Sequence, residues 1–203
     1  MNENEIMVLQ VEDPAVKNEK AINERYAQIA GLRNSMMQEP EELRRKLLMS
    51  DIAGLELEIV ALSEGREVSD QEKLAVTKER KRIEIQLYDK SEEVNQFTLV
   101  GKQMWLPKET RVGLVNSISI EKSAGKQNTV LWFDGVRYEI PIEQALKMLG
   151  ALEMYALECY NVTHKHLSEV DKLLSVDAVA GYDHKAGYPE KLNFDSMEVK
   201  VCC

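Results

Sequence analysis

The side chains best placed to do chemistry lie in the stretch AVAGYDHKAGYPEKLNF, Ala178–Phe194, where Asp183 adjoins His184. An imidazole oriented by a carboxylate is the general-base half of a hydrolytic triad. The other half is an activated serine or cysteine on a tight glycine-flanked turn, and none of the serines here has that setting. A small hydrolase using the His184/Asp183 region is therefore the alternative reading, and a structural role is the leading one. Tyr182, Tyr188, Leu192 and Phe194 are spaced as apolar anchors, while Gly181, Gly187 and Pro189 let the chain bend sharply. Aromatic rings bury large areas and tyrosine keeps a polar end for water. The segment thus reads as a strap laid over a groove, with Tyr182, Tyr188, Pro189, Leu192 and Phe194 as its structural residues.

Other reactive groups fall away in turn. His164 and His166 are two positions apart on a helical pattern, about 200° around the axis, and cannot share a metal ion as residues four apart do. Cys159 sits on an apolar stripe with no adjacent histidine on its face, the setting of an inert core thiol. Cys202 and Cys203 adjoin each other, and the separated pairs of a zinc site are absent; this cysteine usage suits a reducing compartment. SAGKQNT has the Gly–Lys of a phosphate loop, but Ile120 stands where the first glycine belongs and Gln127 follows Lys126. Pairs such as Glu139 with Glu143, or Glu153 with Glu158, have no setting that would split their acidities. The chain reads as no enzyme: no catalytic residue, no cofactor, no metal.

The elements that must carry these residues follow from hydrophobic period. Met7, Leu9 and Val11 alternate before Asp13–Pro14, as in a short strand or extended arm. From Val16, Ile22, Tyr26, Ile29, Leu32 and Met36 recur on one face of a helix ending before Pro40. A second helix from about Glu41 carries Leu48, Ile52, Leu55, Ile59 and Leu62 at coiled-coil-like spacing. Ser69 and Glu72 form a capping box that opens a third, highly charged helix to about Lys90. This helical arm, residues 1–93, reads either as a three-helix cluster or as a self-association or docking arm, a possible route to homo-oligomers.

Beyond Asn95 the period becomes two. FTLVGKQMWL puts Phe97, Leu99, Met104 and Leu106 on one face of a hairpin, with its turn at Val100–Gly101 or Gly101–Lys102. A helix is expected over Lys108–Ser123. A clearer hairpin turns at Asp134–Gly135, pairing Phe133 with Val136, Leu131 with Tyr138 and Thr129 with Ile140. Its opposite face sets Trp132 against Arg137, a cation–π geometry. Trp105 points away from the apolar face of its own hairpin, so a shared sheet would carry both tryptophans on its second side. A long helix from Ile142 runs Ala145, Leu146, Leu149, Leu152, Ala156, Cys159, Thr163, Leu167, Val170 and Leu174 along one stripe, a lid for the sheet. Ser175 caps a short turn that Gly181 ends. The fold class is α+β: a helical arm, then a domain over residues 94–194 of two β-hairpins packed on a long helix, a strap, and a tail over 195–203.

Charge narrows the partners. A net charge of −9 repels a phosphate backbone, and the basic runs LRRKLL (Leu43–Leu48) and KERKRIE (Lys78–Glu84) lie on helical segments amid glutamates. Solvated helix faces, and no nucleic-acid partner, are expected. Nowhere do the roughly 18 apolar residues of a spanning helix occur in a row, and the N-terminus lacks a signal-peptide pattern, so no membrane partner is expected either.

In this order, VNQFTLVGKQMWLPKETRVGLVNSISIEKSAGK, VLWFDGVRYEIPIEQALKMLGALEMYALECYNVTHKHL and VAGYDHKAGYPEKLNF resemble an uncharacterised domain family of phages and prophages, over about Val94–Phe194. Its members sit among tail-fibre and tail-assembly genes, and the AGYPEKL ending is the most distinctive part. The resemblance implies a structural or assembly protein acting by protein–protein contacts at the tail or tail fibres, as a virion component or a fibre-assembly chaperone. It implies other phage structural proteins as partners, and the virion, or the bacterial host cytoplasm during assembly, as location. Trp105, Trp132 and Arg137 are the candidate partner-binding residues, since aromatics and arginine dominate interface hot spots. The opposing expectation for them is a second buried face of the sheet, beneath the helical arm.

Overall fold

A computed structural model describes residues 14–202 of the chain. The strand or arm expected around Met7, Leu9 and Val11 lies outside the described residues. The fold is α+β and divides into two compact units, residues 1–84 with 172–182, and residues 85–171 with 183–203. The boundary therefore falls inside the third helix rather than at residue 93, and the 195–203 segment is part of the second unit rather than a separate tail.

The first unit holds α1 (Pro14–Gln38), α2 (Glu42–Ser63), most of α3 (Asp70–Asp89) and α6 (Val176–Ala180). Ile29 of α1 packs with Ile52 and Ile59 of α2, flanked by Ile22, Leu32 and Leu55. Antiparallel order shows in the polar links: Asn18 Nδ2 donates to Leu62 O at 3.3 Å, and Arg25 Nε to Glu58 at 2.9 Å. Gly54 lets α3 come close, for a Cβ there would lie 3.5 Å from the Val76 side chain. The apolar cluster of this unit is thus built by α1 and α2, with α3 approaching α2 at Gly54. The capping box forms, with Ser69 N–H on Glu72 Oε2 at 2.8 Å and Glu72 N–H on Ser69 Oγ at 3.3 Å. Arg66 grips the same carboxylate with both terminal nitrogens, at 2.9 and 3.0 Å. Ser175 Oγ accepts from Ala178 N–H to start α6.

The second unit contains β1 (Phe97–Leu99), β2 (Lys102–Met104), α4 (Lys108–Ser123), β3 (Asn128–Phe133), β4 (Val136–Pro141), α5 (Ile142–Lys172) and β5 (Lys200–Cys202). The first hairpin turns at Val100–Gly101, both at positive φ (53° and 69°), with Leu99 opposite Lys102. The second turns at Asp134–Gly135 (φ 48° and 76°), with Phe133 opposite Val136 and the register alternation dictates. The hairpins do not share a sheet: β1–β2 is one, and β3–β4–β5 is another. A single core joins Phe97, Leu99, Met104 and Leu106, Ile118 of α4, Leu131, Phe133, Tyr138 and Ile140, and the α5 face from Ile142 to Leu152. Farther along α5, Tyr155, Cys159, Thr163, His166 and Val170 are buried, three and four apart. The stripe expected from sequence needs two corrections: His166 takes the buried place given to Leu167, and Leu174, beyond the helix end, is 87% exposed.

Candidate functional site

The sheet β3–β4–β5 has one buried and one open face. Thr129, Leu131 and Phe133 of β3 are buried, whereas Asn128, Val130 and Trp132 are exposed, the period-two signature of a half-covered strand. Trp132 is 65% exposed and lies directly opposite Arg137. The expected cation–π pairing of these two is replaced by an ion pair, because Glu139 lies two residues along β4 on the same face: Arg137 Nη1 is 3.6 Å from Glu139 Oε2. Glu139 also accepts from Asn128 Nδ2 at 3.2 Å. The open face thus offers an indole flanked by an internally neutralised charge pair.

Trp105 does not join them in a single sheet. It follows β2, half-buried, with its ring 6.4 Å from Tyr155 edge-on and the Arg111 guanidinium 5.1 Å above it. Arg111 is 3% exposed; its Nε donates to Glu153 Oε1 at 2.6 Å and its Nη1 to Leu106 O at 2.6 Å. Among the described residues the cation–π contacts of this unit are Arg111 on Trp105 and Lys185 on Tyr88, the latter at 5.5 Å, rather than Arg137 on Trp132. Sequence reading passed over Arg111. The signal was present: Arg111, Leu114, Val115 and Ile118 fall on one α4 face, so a charge stands in an apolar stripe and must be paired.

Beside this stack lies a cleft of about 240 Å³ whose lining includes Asp89, Asn95, Trp105, Lys108, Arg111 and Cys159. Under it runs a polar cluster. Thr163 Oγ1 donates to Asp89 Oδ1 at 2.7 Å and shares a 2.8 Å hydrogen bond with the Tyr188 hydroxyl. Tyr155 OH donates to Val94 O at 2.7 Å. Burial raises the Cys159 thiol above its ordinary value, with the Asp89 and Glu158 charges adding to the effect, so the neutral thiol is favoured. This matches the inert core cysteine read from the sequence.

The strap residues of the second unit are held by ring contacts and backbone hydrogen bonds. Tyr188 packs edge-on to Tyr88 at 5.3 Å and stacks on His166 at 5.9 Å, and His166 Nε2 reaches Ala186 O at 2.9 Å. Leu192 and Phe194 pack on the main core, and Pro189 lies half-buried between these anchors. Backbone bonds from Thr98 N–H to Leu192 O (2.9 Å) and from Phe194 N–H to Thr98 O (2.8 Å) make a short parallel bridge along β1. Tyr182 belongs to the first unit, where its N–H bonds Val179 O at 3.3 Å. Asp183 caps the backbone N–H of Lys185 at 3.0 Å, and His184 sets its ring 5.8 Å from Tyr88, edge-on. Both are engaged in holding the strap.

His164 is exposed against Tyr160 while His166 is buried, so the two diverge as helix geometry requires. The basic runs are laced by carboxylates: Arg44 with Glu41, Lys46 with Glu42, Arg80 with Asp51 and Glu84, Lys81 with Glu84. Among the described residues no helix is long and apolar enough to cross a membrane. Comparison with known proteins finds no matching family model and no matching curated protein or solved structure.

Proposed function

We propose that this chain is a phage-encoded structural or assembly protein that works by protein–protein contact, not catalysis, at the tail or its fibres. The single observation that carries the contact reading is Trp132, 65% exposed beside Arg137 on the open face of a short sheet. An exposed indole next to an arginine is the composition of an interface hot spot. The tail assignment is supported by the resemblance of residues 94–194 to the phage domain family. Its partners are other phage structural proteins, and its place is the virion or the host cytoplasm during assembly. The helices of the first unit, with Val16, Tyr26 and Met37 exposed, are a second contact surface through which copies associate.

Mass spectrometry of purified particles from the encoding phage or prophage tests the assignment. Stoichiometric peptides make the chain a virion component; abundance in the lysate with loss of fibres on deletion makes it an assembly factor. Normal particles formed without it overturn the proposal. The contact itself is tested by Trp132→Ala and Arg137→Ala, which should each weaken partner binding by about 2 kcal/mol with an unchanged melting temperature.

A further inference from the structure

The strand that carries Trp132 is also a sheet edge, and its chemistry is unusual for one. In the order β3–β4–β5, the edges are β3 and β5. Natural edges are blunted by lysine, proline, bulges or brevity, because unpaired N–H and C=O groups invite another strand. β5 is three residues long and carries Lys200. β2 is three residues long and begins at Lys102, and β1 is bridged by the strap at Thr98. β3 has none of these protections: its six residues, NTVLWF, include no charge, no proline and no bulge.

Its hydrogen-bonding parity can be read. The Gln127 carbonyl accepts from Ile142 N–H, so that pair, and alternate pairs Thr129–Ile140, Leu131–Tyr138 and Phe133–Val136, are the ones that exchange bonds with β4. Asn128, Val130 and Trp132 therefore point their N–H and C=O groups away from β4. Their side chains are also the ones on the open face.

We propose that β3 pairs with β3 of a second copy of this chain, antiparallel about a two-fold axis at Val130, joining two three-stranded sheets into one. In that register Val130 exchanges both bonds with its twin, and Asn128 exchanges both with Trp132 of the second copy, on each side of the axis. Electrostatics selects a second copy as occupant. A chain of net charge −9 repels itself over most of its surface, but this edge brings no charge against its twin. The carboxylates nearest it are already paired, Glu121 with Lys126 and Thr129 and Glu139 with Arg137 and Asn128, and Glu139 lies three strand spacings from its copy, about 14 Å, beyond the screening length of about 8 Å. Across the open face Trp132 lies over Asn128 of the second copy, so the exposed indole gains cover. The inference needs no phage origin and uses a surface distinct from the first unit's helices.

Sedimentation equilibrium of the full chain tests it. The interface is small, so a dissociation constant on the order of 10–100 µM is expected. The mass should rise from 23.2 kDa toward twice that value across this range. Val130→Lys sets two like charges at the axis and should remain monomeric throughout. Val130→Pro removes only an outward N–H and should do the same; if it fails to fold, the lysine variant decides. Amide exchange at Asn128, Val130 and Trp132 should slow with concentration by about tenfold in the wild type. A monomer at all concentrations, a dimer that survives Val130→Lys, or exchange at these amides that ignores concentration would each overturn the proposal.

Discussion

Arg111 concentrates the second unit's polar energetics in one side chain. A guanidinium at 3% exposure is tolerable because its fixed fork serves Glu153 and the Leu106 carbonyl while its face covers Trp105. Lysine keeps the charge but has neither fork nor plane. Arg111→Lys should lower stability by about 2 kcal/mol, read as a lower urea midpoint at unchanged slope. A loss below about 0.5 kcal/mol would mean that the pair behaves as an exposed one. Arg111 was legible in the sequence as a charge on an apolar stripe. The Asp89–Thr163–Tyr188 group was not, because its members come from separate segments and only tertiary packing brings them together.

At the scale of elements, the first hairpin carries its own strain. Val100 holds φ 53°, a region that crowds a β-branched side chain, in a turn position that asparagine suits. Val100→Asn should stabilise the protein by about 1 kcal/mol, measured by denaturant titration; destabilisation would mean the Val100 side chain, 42% exposed, packs more than it strains. The α3 cap makes a pH prediction. Hydrogen bonds from Arg66, then Ser69, hold Glu72 down at about 2 from an ordinary 4.5. A depressed carboxylate contributes stability that is fully present above its unfolded value and is lost as pH falls through the folded one. The α3 N-terminus should therefore fray between about pH 4.5 and 2, with the Glu72 carboxyl carbon titrating near 2. Arg66→Ala should move that midpoint upward. The hairpins and helices were readable from the switch of period near Asn95 and from Asp134–Gly135. The alternative turns of the first hairpin were not separable by pattern, since both keep Phe97, Leu99 and Met104 on one face. β5 escaped because three residues make no period.

At the scale of the whole chain, the units are not the ones that sequence organisation suggested. The resemblance begins at Val94, but the second unit starts at Ile85, which is fully buried, and includes Tyr88 and Asp89. It also includes β5, bonded along β4 at Arg137, Tyr138 and Glu139. A fragment of residues 85–203 should melt at least about 10 °C above one of residues 94–194, followed by circular dichroism. Equal melting temperatures would return the boundary to Val94.

The second unit is also interrupted: residues 172–182 belong elsewhere before 183–203 complete it. That order has a consequence in time. During synthesis, Thr98 and the β4 edge emerge long before Leu192, Phe194 and Lys200, the residues that pair with or along them. At about 5–20 residues per second a nascent chain waits several seconds with those backbone groups unclaimed. Stalling the ribosome just before residue 183 should thus leave a species whose sheet is held by its hairpins alone, more readily cleaved by protease than the released chain.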